Sequence, residues 1–393
     1  MNDEIKTNLL SDFDRIYGVS SDVRVFFAPG RVNLIGEHTD YNGGHVFPCA
    51  LSLGTYAAVK VRPDSKIRLY SMNFEKDGIR EADASAKLVN SPEYKWANYP
   101  LGIVETFRKR GMQINSGFDI LYYGTIPNGS GLSSSASIEV LTGYCLSELY
   151  GFNVTKQDLA LIGQDSENNF NGMNCGIMDQ FASAFGKAGH AIFLDTATLK
   201  YEYVPVDLKG IKIVISNTNV KHELTSSGYN DRRRESETAL SDLKTVTDIK
   251  ALGELDEESF NKYSSAIKNE VCFRRARHAV TENLRTIEAV KALNAGEIAT
   301  FGKLMNESHA SLDKDYEVTC PELNIMAETE QSLPGVIGAR MTGGGFGGCT
   351  VALVHDEYID SVIEKTKEIY TLKTGITPAF YVVDIGDGPS ELL

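Results

Sequence analysis

A run of six residues, Gly343 to Gly348, reads GGGFGG and separates two predicted strands. It contains the spacing GxGxxG, which joins a strand to a helix in dinucleotide-binding folds. Here the next segment, Thr350 to Val354, is β-branched and apolar, so it predicts a strand and excludes that fold. Protein kinases do place a glycine-rich loop between strands, but this chain contains no HRD or DFG sequence. On its own, the loop is also consistent with a tight glycine hairpin that lets two lobes pack closely.

The order of predicted elements divides the chain into two parts. Strands and helices are mixed in the first half, long helices with charged faces fill 226–331, and a strand–loop–strand–helix–strand segment ends the chain. This order is typical of an α+β protein with two lobes. We place the boundary where Pro205 and the segment 207–210 interrupt the pattern, which gives an N-terminal domain of 1–205 and a C-terminal domain of 206–393. The last strand could return to the N-terminal lobe.

Two further predictions concern strands. Val23 to Ala28 is expected to form a strand that stops at Pro29. Gly54 to Val61 and Ile67 to Ser71 are expected to pair as a hairpin, because the residues between them, Arg-Pro-Asp-Ser, have turn chemistry.

The charge balance and the cysteines restrict what the chain can bind. It has 39 Lys and Arg against 53 Asp and Glu, a formal net charge of −14. Nucleic-acid binding and docking on an anionic membrane both need basic surface, so both are disfavoured. The six cysteines contain no CxxC pair, which predicts reduced thiols without disulfides or zinc. With no apolar run near ~18 residues and no signal-peptide core, we expect a soluble cytoplasmic protein.

Four functional side chains are closely spaced in the loop after the first predicted strand: Arg31, Glu37, His38 and Asp40. Polar groups on a loop anchored by a strand can converge on a ligand. The two acids and the imidazole together suit several hydroxyl groups. The alternatives are an ordinary solvated turn, or metal ligation by the histidine with the acids.

The segment 127–136, PNGSGLSSSA, lies between a predicted strand and a predicted helix. Small residues let the backbone approach a ligand, and the free N–H groups at a helix start favour phosphate. The serine hydroxyls could add hydrogen bonds or a magnesium ligand. The alternative is a capped helix after a turn, since serine is a good cap. No GK[ST] follows, so this is not a Walker A loop.

Two acids follow this loop along the chain. A helix capped by Thr155 is expected to run to about residue 170, which places Glu167 near its end and Asp179 about one turn into the next helix. Beside a phosphate loop, one carboxylate could hold magnesium and the other act as a base. Both could equally be solvated or capping acids. Trp96 could stack on a nucleotide base, although core packing is the default for such a residue.

Together these segments resemble the galactokinase family, part of a superfamily of small-molecule kinases that includes homoserine, mevalonate and phosphomevalonate kinases. GRVNLIGEHTDYNGG at 30–44 is similar to the galactokinase signature, GLSSSA at 131–136 to the superfamily's phosphate loop, and GGGFGG to its third motif. CGIMDQ at 175–180 and YNDRR at 229–233 also fit. The resemblance implies a two-lobed small-molecule kinase fold of the α+β class, with the active site between the lobes. It implies ATP-dependent phosphorylation of the C1 hydroxyl of α-D-galactose, giving galactose 1-phosphate.

The resemblance also implies residue roles. Asp179 would serve as base at the C1 hydroxyl, and Arg31 would keep it ionised and stabilise charge on the transferring group. The residues expected to bind sugar hydroxyls are Glu37, His38, Asp40, Asp179 and Tyr229. Those expected to bind ATP are Gly129, Ser130, Gly131, Leu132, Ser133, Ser134, Ser135 and, beside the base, Trp96. Those expected to hold Mg²⁺ are Ser135 and Glu167.

The sequence departs from the family pattern at a few positions. The phosphate loop reads PNGSG where many relatives have GAG, Asn168 stands where His is common, and Ser236 where Cys is common. The implied partners are galactose and ATP, with no obligate protein partner. The alternatives are a kinase for N-acetylgalactosamine, arabinose or another related sugar, and a non-catalytic sensor that binds galactose and ATP.

Overall fold

The computed structural model describes residues 2–127, 130–206, 208–220 and 225–393. The helices are α1 (Asn2–Tyr17), α2 (Asn98–Lys109), α3 (Ser134–Tyr150), α4 (Lys156–Ser166), α5 (Met178–Phe185), α6 (Thr225–Leu243), α7 (Glu257–Tyr263), α8 (Glu270–Asn294), α9 (Ile298–Ser311), α10 (Pro321–Ser332) and α11 (Ile359–Thr374). The strands are β1 (Arg24–Asn33), β2 (His45–Val46), β3 (Pro48–Val61), β4 (Lys66–Ser71), β5 (Arg80–Asp83), β6 (Phe118–Gly124), β7 (His190–Asp195), β8 (Lys200–Pro205), β9 (Ile211–Asn217), β10 (Val336–Thr342), β11 (Cys349–His355), β12 (Ala379–Val383) and β13 (Ser390–Glu391). This mixture of helices and sheets confirms the α+β class.

The described strands form three sheets. A six-stranded sheet has the order β13-β1-β3-β6-β4-β5, a four-stranded sheet the order β10-β11-β9-β12, and a three-stranded sheet the order β2-β7-β8. The last strand of the chain returns to the first sheet, where Glu391 and Ser390 pair with Phe26 and Phe27 of β1. The four-stranded sheet draws only on strands that follow residue 210. The boundary at 205–206 stays a prediction, and Asp207 lies outside the described residues.

The prediction that β1 stops at Pro29 was wrong, because the strand continues to Asn33. The pairing between β1 and β3 shifts register between Pro29 and Arg31, so the proline and glycine form an irregularity within the strand rather than its end. A Cβ at Gly30 would lie 2.6 Å from Ile126 Cδ1. The strand therefore carries Arg31 toward the interior instead of leaving it on a loop.

The predicted hairpin between β3 and β4 was also wrong. β6 lies between them, antiparallel to β3 and parallel to β4. The first five residues of β6 are all buried, whereas β4 alternates buried with more exposed residues. A strand buried on both faces belongs in the middle of a sheet. This explains why β6, although distant in sequence, pairs with β3 in the place predicted for β4.

Two hydrophobic cores fix the segments around the candidate site. One lies between the six-stranded sheet and the helices α2 to α5, where Phe26, Phe118 and Leu141 are fully buried. The other joins the end of β1 and the segment after it to the four-stranded sheet, with Val32 and Ile215 among its buried residues. Because Val32 neighbours Arg31, the second core holds the end of β1 against both sheets.

Glu330 on α10 is a fully buried acid under the four-stranded sheet. Its carboxylate accepts hydrogen bonds from Ser216 Oγ at 2.5 Å and Thr350 Oγ1 at 2.8 Å. Burial raises the pKa of Glu330 from 4.5 to about 7, although the two hydroxyl donors oppose the shift. Because the folded pKa lies above the unfolded one, this group's stabilisation is full below about pH 4.5 and is lost as the pH rises through 7.

We therefore expect Glu330→Gln to be more stable than wild type at pH 8, by on the order of 3 kcal/mol, and similar at pH 4.5. The amide keeps one acceptor and cannot ionise. Urea unfolding at both pH values measures the difference. Glu328→Gln, on an exposed position of the same helix, is the control and should change neither value. An equal pH dependence in wild type and Glu330→Gln would contradict the assignment.

All six cysteines lie within the described ranges and are free thiols. In the part of the chain that the structure describes, no helix is long and apolar enough to cross a membrane.

Candidate active site

A cavity of about 250 Å³ lies where the segment after β1, the start of α3, the segment before α5 and the loop after β10 meet. This volume is near the lower end of small-molecule sites, which span roughly 300–1,000 Å³. The predicted site residues that line it are Arg31, Glu37, His38, Asp40, Gly131, Ser133, Ser134, Ser135, Glu167, Asp179 and Tyr229. Three predicted residues do not line it, namely Ser130, Leu132 and Trp96. Gly129 lies outside the described residues.

Arg31 and Asp179 form a two-pronged ion pair at the cavity. Arg31 Nε and Nη2 each donate to one oxygen of Asp179 at 2.7 Å, and Nη1 donates to the Gly131 carbonyl at 2.7 Å. The arginine side chain is only 4% exposed, whereas 30% of the aspartate side chain is open. Ser133 Oγ also donates to Asp179. The pair fixes the carboxylate in one orientation while leaving it accessible to a ligand.

Asp179 is the second residue of α5, so the expectation that it lies a full turn into the helix was wrong. At this position the helix dipole favours a negative charge. Glu167 does lie at the end of α4, whose start has the predicted Thr155 cap, with Thr155 and Asp158 bonded reciprocally. The chain then continues in a π-helical turn, Glu167–Asn171.

Glu37 joins the segment after β1 to the glycine-rich loop. Its Oε1 accepts hydrogen bonds from Gly343 N at 2.8 Å and Thr342 Oγ1 at 3.1 Å, and lies 3.5 Å from Arg340 Nη1. Burial raises the pKa of Glu37, while Arg340 and Arg31 oppose that rise. Arg340 was missed at the sequence level, although an arginine within an otherwise apolar strand signals a buried partner.

Asp40 lies beside Asp179. Its two oxygens accept hydrogen bonds from Tyr41 N at 3.0 Å and Met178 N at 3.3 Å. Burial, and then the charge of Asp179, raise the pKa of Asp40 to about 6. A Cβ at Gly176 would lie 1.9 Å from Asp40 Oδ2, so only glycine leaves room for this carboxylate.

Gly176→Ala is accordingly expected to displace Asp40 and raise the KM for a ligand of this cavity by about tenfold, the loss of roughly one charged hydrogen bond. Steady-state kinetics measure the KM. Gly143→Ala, inside α3, is the control because its new Cβ would meet only side-chain atoms, of which Leu159 Cδ2 is nearest at 3.1 Å. If Gly176→Ala left the KM unchanged, Asp40 would be excluded as a ligand-binding residue.

His38 is held in a left-handed backbone conformation with φ of 60°. Its Nδ1 lies 2.8 Å from Tyr41 Oη, and its ring packs 5.4 Å from that of Tyr229. Burial lowers the pKa of His38 to about 3, so the imidazole is neutral near pH 7. Nε2 is buried and has no hydrogen-bond partner among the described residues. A neutral ring nitrogen at the cavity is suited to a ligand hydroxyl.

Glu167 lies against a second buried acid, Glu139, which the sequence pattern alone did not single out. Gln180 Nε2 donates to Glu139 at 3.1 Å and to Glu167 at 3.4 Å. Burial raises the pKa of both carboxyls. Glu139 follows Ser135 by one helical turn, a spacing that places both on one face and would have indicated the pairing.

The oxygens around Glu167 fit a magnesium ion. Mg²⁺ prefers oxygen ligands and takes one or two carboxylates alongside substrate phosphates. Ser135 and Glu167 both line the cavity, and Glu139 Oε1 is buried without a partner among the described residues. In that same part of the chain, no group of three or more His, Cys, Asp or Glu side chains forms a complete metal cage. For an ion bound here, phosphate oxygens of the substrate would have to supply the remaining ligands.

The phosphate-loop segment and the glycine-rich loop pack against each other. Ser133 has φ of 59° and makes no side-chain cap of α3, so the capping explanation for this serine was wrong. A Cβ at Gly343 would lie 2.7 Å from the Gly131 carbonyl, and one at Gly345 would lie 2.1 Å from the Val318 carbonyl. The glycines therefore serve close packing, and residues 343–345 also line the cavity.

Trp96 lies away from the cavity lining. Its ring faces Phe74 with centroids 6.4 Å apart and planes 13° apart, and it meets Tyr122 edge-on at 5.9 Å. The indole Nε1 is buried without a partner among the described residues. The structure thus gives Trp96 a packing role and leaves its contact with a nucleotide base a prediction.

Comparison with known proteins places this arrangement in a family. A galactokinase galactose-binding signature matches residues 11–61, the N-terminal domain of GHMP kinases matches 98–187, and their C-terminal domain matches 289–371. The galactokinase of Clostridium beijerinckii is 53% identical over 384 residues, which is 98% of each chain. That of Bacillus subtilis is 50% identical over 99% of each chain.

Solved structures agree with the sequences. The Lactococcus lactis galactokinase, crystallised with galactose, superposes with a TM-score of 0.97 at 46% identity, over 99% of this chain and 100% of that one. The Methanococcus jannaschii mevalonate kinase superposes with a TM-score of 0.66 at 19% identity, over 94% and 99% of the two chains, and shares the fold alone. The two-lobed small-molecule kinase fold is confirmed, and the chain belongs to the galactokinase family of GHMP kinases.

Proposed function

We propose that this protein transfers the γ-phosphoryl group of ATP to the C1 hydroxyl of α-D-galactose and releases galactose 1-phosphate. The observation that carries the proposal is the Arg31–Asp179 pair, which presents a fixed carboxylate to a cavity of monosaccharide size. Galactose is favoured as the sugar because the related Lactococcus lactis enzyme was crystallised with it.

In the proposed reaction, Asp179 receives the proton of the C1 hydroxyl as the new phosphorus–oxygen bond forms and the bond from the γ-phosphorus to the bridging oxygen breaks, which releases ADP. Its oxygens are held by Arg31 and Ser133, so the carboxylate does not have to reorient during the transfer. Arg31 keeps Asp179 ionised and stabilises negative charge on the transferring group. Phosphoryl transfer depends mainly on such positioning and electrostatic stabilisation.

The remaining polar groups of the cavity hold the other sugar hydroxyls. Glu37 and Asp40 accept hydrogen bonds, neutral His38 offers Nε2, and Tyr229 offers a hydroxyl. Because these groups are buried and preorganised, a sugar that lacks one of their partners leaves a polar group unpaired, which disfavours its binding.

The ATP phosphates bind along Gly131 to Ser135, against the N-terminal N–H groups of α3. Ser135 and Glu167 would hold Mg²⁺, with Glu139 behind them. When bound, the ion neutralises phosphate charge. Gly129, Ser130 and Leu132 are proposed to complete the phosphate loop, and Trp96 to lie beside the nucleotide base.

ADP release, coupled to an optical assay, tests the proposal. The purified protein is given ATP and Mg²⁺ with galactose, N-acetylgalactosamine, arabinose, glucose or no sugar. We expect turnover led by galactose and none without sugar. Turnover led by another sugar would keep the mechanism and change the substrate. If the folded protein bound galactose but showed no turnover, the proposed kinase activity would be wrong and a sensor would be favoured.

A further inference from the structure

The two nitrogens of the His38 ring have different surroundings. Nδ1 lies 2.8 Å from Tyr41 Oη, whereas Nε2 faces no hydrogen-bond partner among the described residues. Burial keeps the ring neutral near pH 7 by lowering the pKa of His38 to about 3. A neutral imidazole carries one donor and one acceptor nitrogen. The position of its single proton therefore decides whether Nε2 donates to a ligand or accepts from one.

A chain of three hydroxyls leads away from Nδ1. Tyr41 Oη lies 2.8 Å from Tyr316 Oη, and Tyr316 Oη lies 2.9 Å from Ser236 Oγ. Ser236 Oγ donates to the carbonyl oxygen of Arg232 at 3.0 Å. Ser236 and Tyr316 are fully buried, so water does not compete along this part of the chain.

The direction of each hydrogen bond follows from counting hydrogens, since every hydroxyl has only one to give. The Arg232 carbonyl can only accept, so it takes the hydrogen of Ser236. Tyr316 must then donate to Ser236, and Tyr41 must donate to Tyr316. The oxygen of Tyr41 is left as an acceptor, and the partner that donates to it is Nδ1–H of His38.

Asn42 is consistent with the same direction. Its Nδ2 donates to the backbone carbonyl of His38 at 2.7 Å, which fixes which end of the amide is the nitrogen. The same Nδ2 lies 3.5 Å from Tyr316 Oη. Because an amide nitrogen can only donate, Tyr316 cannot give its hydrogen to Asn42, and the hydrogen bond of Ser236 to the Arg232 carbonyl then directs it to Ser236.

We propose that Ser236, Tyr316 and Tyr41 form a relay that fixes His38 as its Nδ1–H tautomer, so that Nε2 accepts a hydrogen bond from a sugar hydroxyl. The three hydroxyl residues are positioning residues, because they act on the ligand through His38. The sugar-binding part of the proposal rests on the proposed function. The tautomer itself does not, because it is set by the protein alone.

The competing tautomer carries its proton on Nε2. A hydrogen bond to the backbone of Gly344, which raises the pKa of His38, would favour it. That arrangement would place the lone pair of Nδ1 against the lone pairs of Tyr41 Oη at 2.8 Å. Among the described residues Nε2 makes no hydrogen bond of good geometry, whereas Nδ1 lies 2.8 Å from Tyr41 Oη, so the Nδ1–H form is favoured.

The relay gives the sugar site a defined selectivity. Glu37, Asp40 and Asp179 are acceptors when ionised, and the Nδ1–H tautomer makes His38 a fourth acceptor. Such a site requires donating hydroxyl groups. A sugar whose hydroxyl is replaced by fluorine cannot donate, and it leaves Nε2 unpaired.

The tautomer is read directly by long-range ¹H–¹⁵N NMR on the full chain labelled at histidine, with His38 assigned through His38→Gln. We expect Nδ1 protonated and Nε2 unprotonated in wild type. Tyr316→Phe removes the acceptor of the Tyr41 hydrogen, so Tyr41 turns toward Nδ1 and the proton moves to Nε2. Tyr122→Phe is the control, because it deletes a buried hydroxyl bonded to Thr142 at 2.8 Å outside the relay.

A proton on Nε2 in wild type, or an unchanged tautomer in Tyr316→Phe, would overturn the relay. Ser236→Ala provides a second variant if Tyr316→Phe does not fold, and the same shift is expected from it. These spectra need neither sugar nor turnover, so they can refute the relay whether or not the proposed function is correct.

Kinetics then test the link to the sugar. Each hydroxyl of galactose other than C1 is replaced in turn by fluorine, and KM is compared with that of galactose. The measured quantity is the KM of each fluoro-sugar divided by the KM of galactose. At one position, we expect this ratio to be about 2- to 10-fold lower in Tyr316→Phe than in wild type, because Nε2–H no longer requires a donor. Ratios equal to those of wild type at all positions would overturn the assignment of Nε2 as acceptor.

Discussion

Replacing Asp179 with asparagine is expected to lower kcat for galactose phosphorylation by about 10²- to 10⁴-fold, the usual contribution of a general base. Asparagine has nearly the same shape but cannot take up the hydroxyl proton. In wild type, Nε and Nη2 of Arg31 each donate to one carboxylate oxygen at 2.7 Å. The NH₂ group of asparagine would therefore also face one of these two donors. Initial rates at saturating galactose and ATP give kcat.

The matched control for this variant is Asp119→Asn. Asp119 on β6 also makes a two-pronged pair, with Arg68 Nε at 2.6 Å and Nη2 at 2.7 Å, and it lies outside the cavity lining. Its replacement should weaken the fold and leave kcat near that of wild type. If Asp179→Asn kept kcat within tenfold of wild type, proton removal by Asp179 would be excluded, and positioning would account for the residual role.

Local sequence patterns were sufficient for most helices and for the loops that carry the chemistry. The Thr155 cap, the helix after Ser133 and the strand–loop–strand around residues 343–348 are set by residues close in sequence. The three glycine-containing segments, 30–44, 127–136 and 343–348, each contribute residues to the cavity lining. The reason is physical: capping, turn chemistry and hydrophobic period are local properties of the chain.

Strand pairing and the ion pairs were not predictable in the same way. β6 inserts between β3 and β4 because of burial on both of its faces, which depends on helices far away in sequence. Arg31 and Asp179 are separated by 148 positions, so only the family resemblance related them. Arg340 and Glu139 were overlooked because each was read as part of a regular element, although a charge in a buried element needs a partner.

Replacing Arg340 with methionine is expected to destabilise the fold by about 3–5 kcal/mol, the cost of removing one partner of a buried ion pair. Arg340 is fully buried on β10, where Nη1 donates to the Asn33 carbonyl at 2.9 Å and lies 3.5 Å from Glu37 Oε1. Its Nε donates to Ser308 Oγ at 3.2 Å. Methionine keeps much of the length and leaves Glu37 without its nearest cation.

The same variant should weaken sugar binding, because Arg340 opposes the burial that raises the pKa of Glu37. Without the arginine, the pKa of Glu37 rises further and the carboxyl takes up a proton at a higher pH than in wild type. We expect the KM for galactose to increase and to depend more steeply on pH. Urea unfolding at pH 7 and steady-state kinetics at several pH values measure the two effects. The control is Arg234→Met, at an exposed pair with Asp231, which should cost at most about 1 kcal/mol in stability.

A double variant separates the charge from the packing. In Glu37→Gln with Arg340→Met, the amide oxygen still accepts from Gly343 N and Thr342 Oγ1, but no unpaired charge is buried. The double variant should therefore be at least as stable as Arg340→Met alone, a clear departure from additivity. Additive losses, or a single-variant cost below about 1 kcal/mol, would mean that Arg340 acts by filling space. Non-additivity would make Arg340 the residue that keeps the Glu37 carboxylate charged inside the protein.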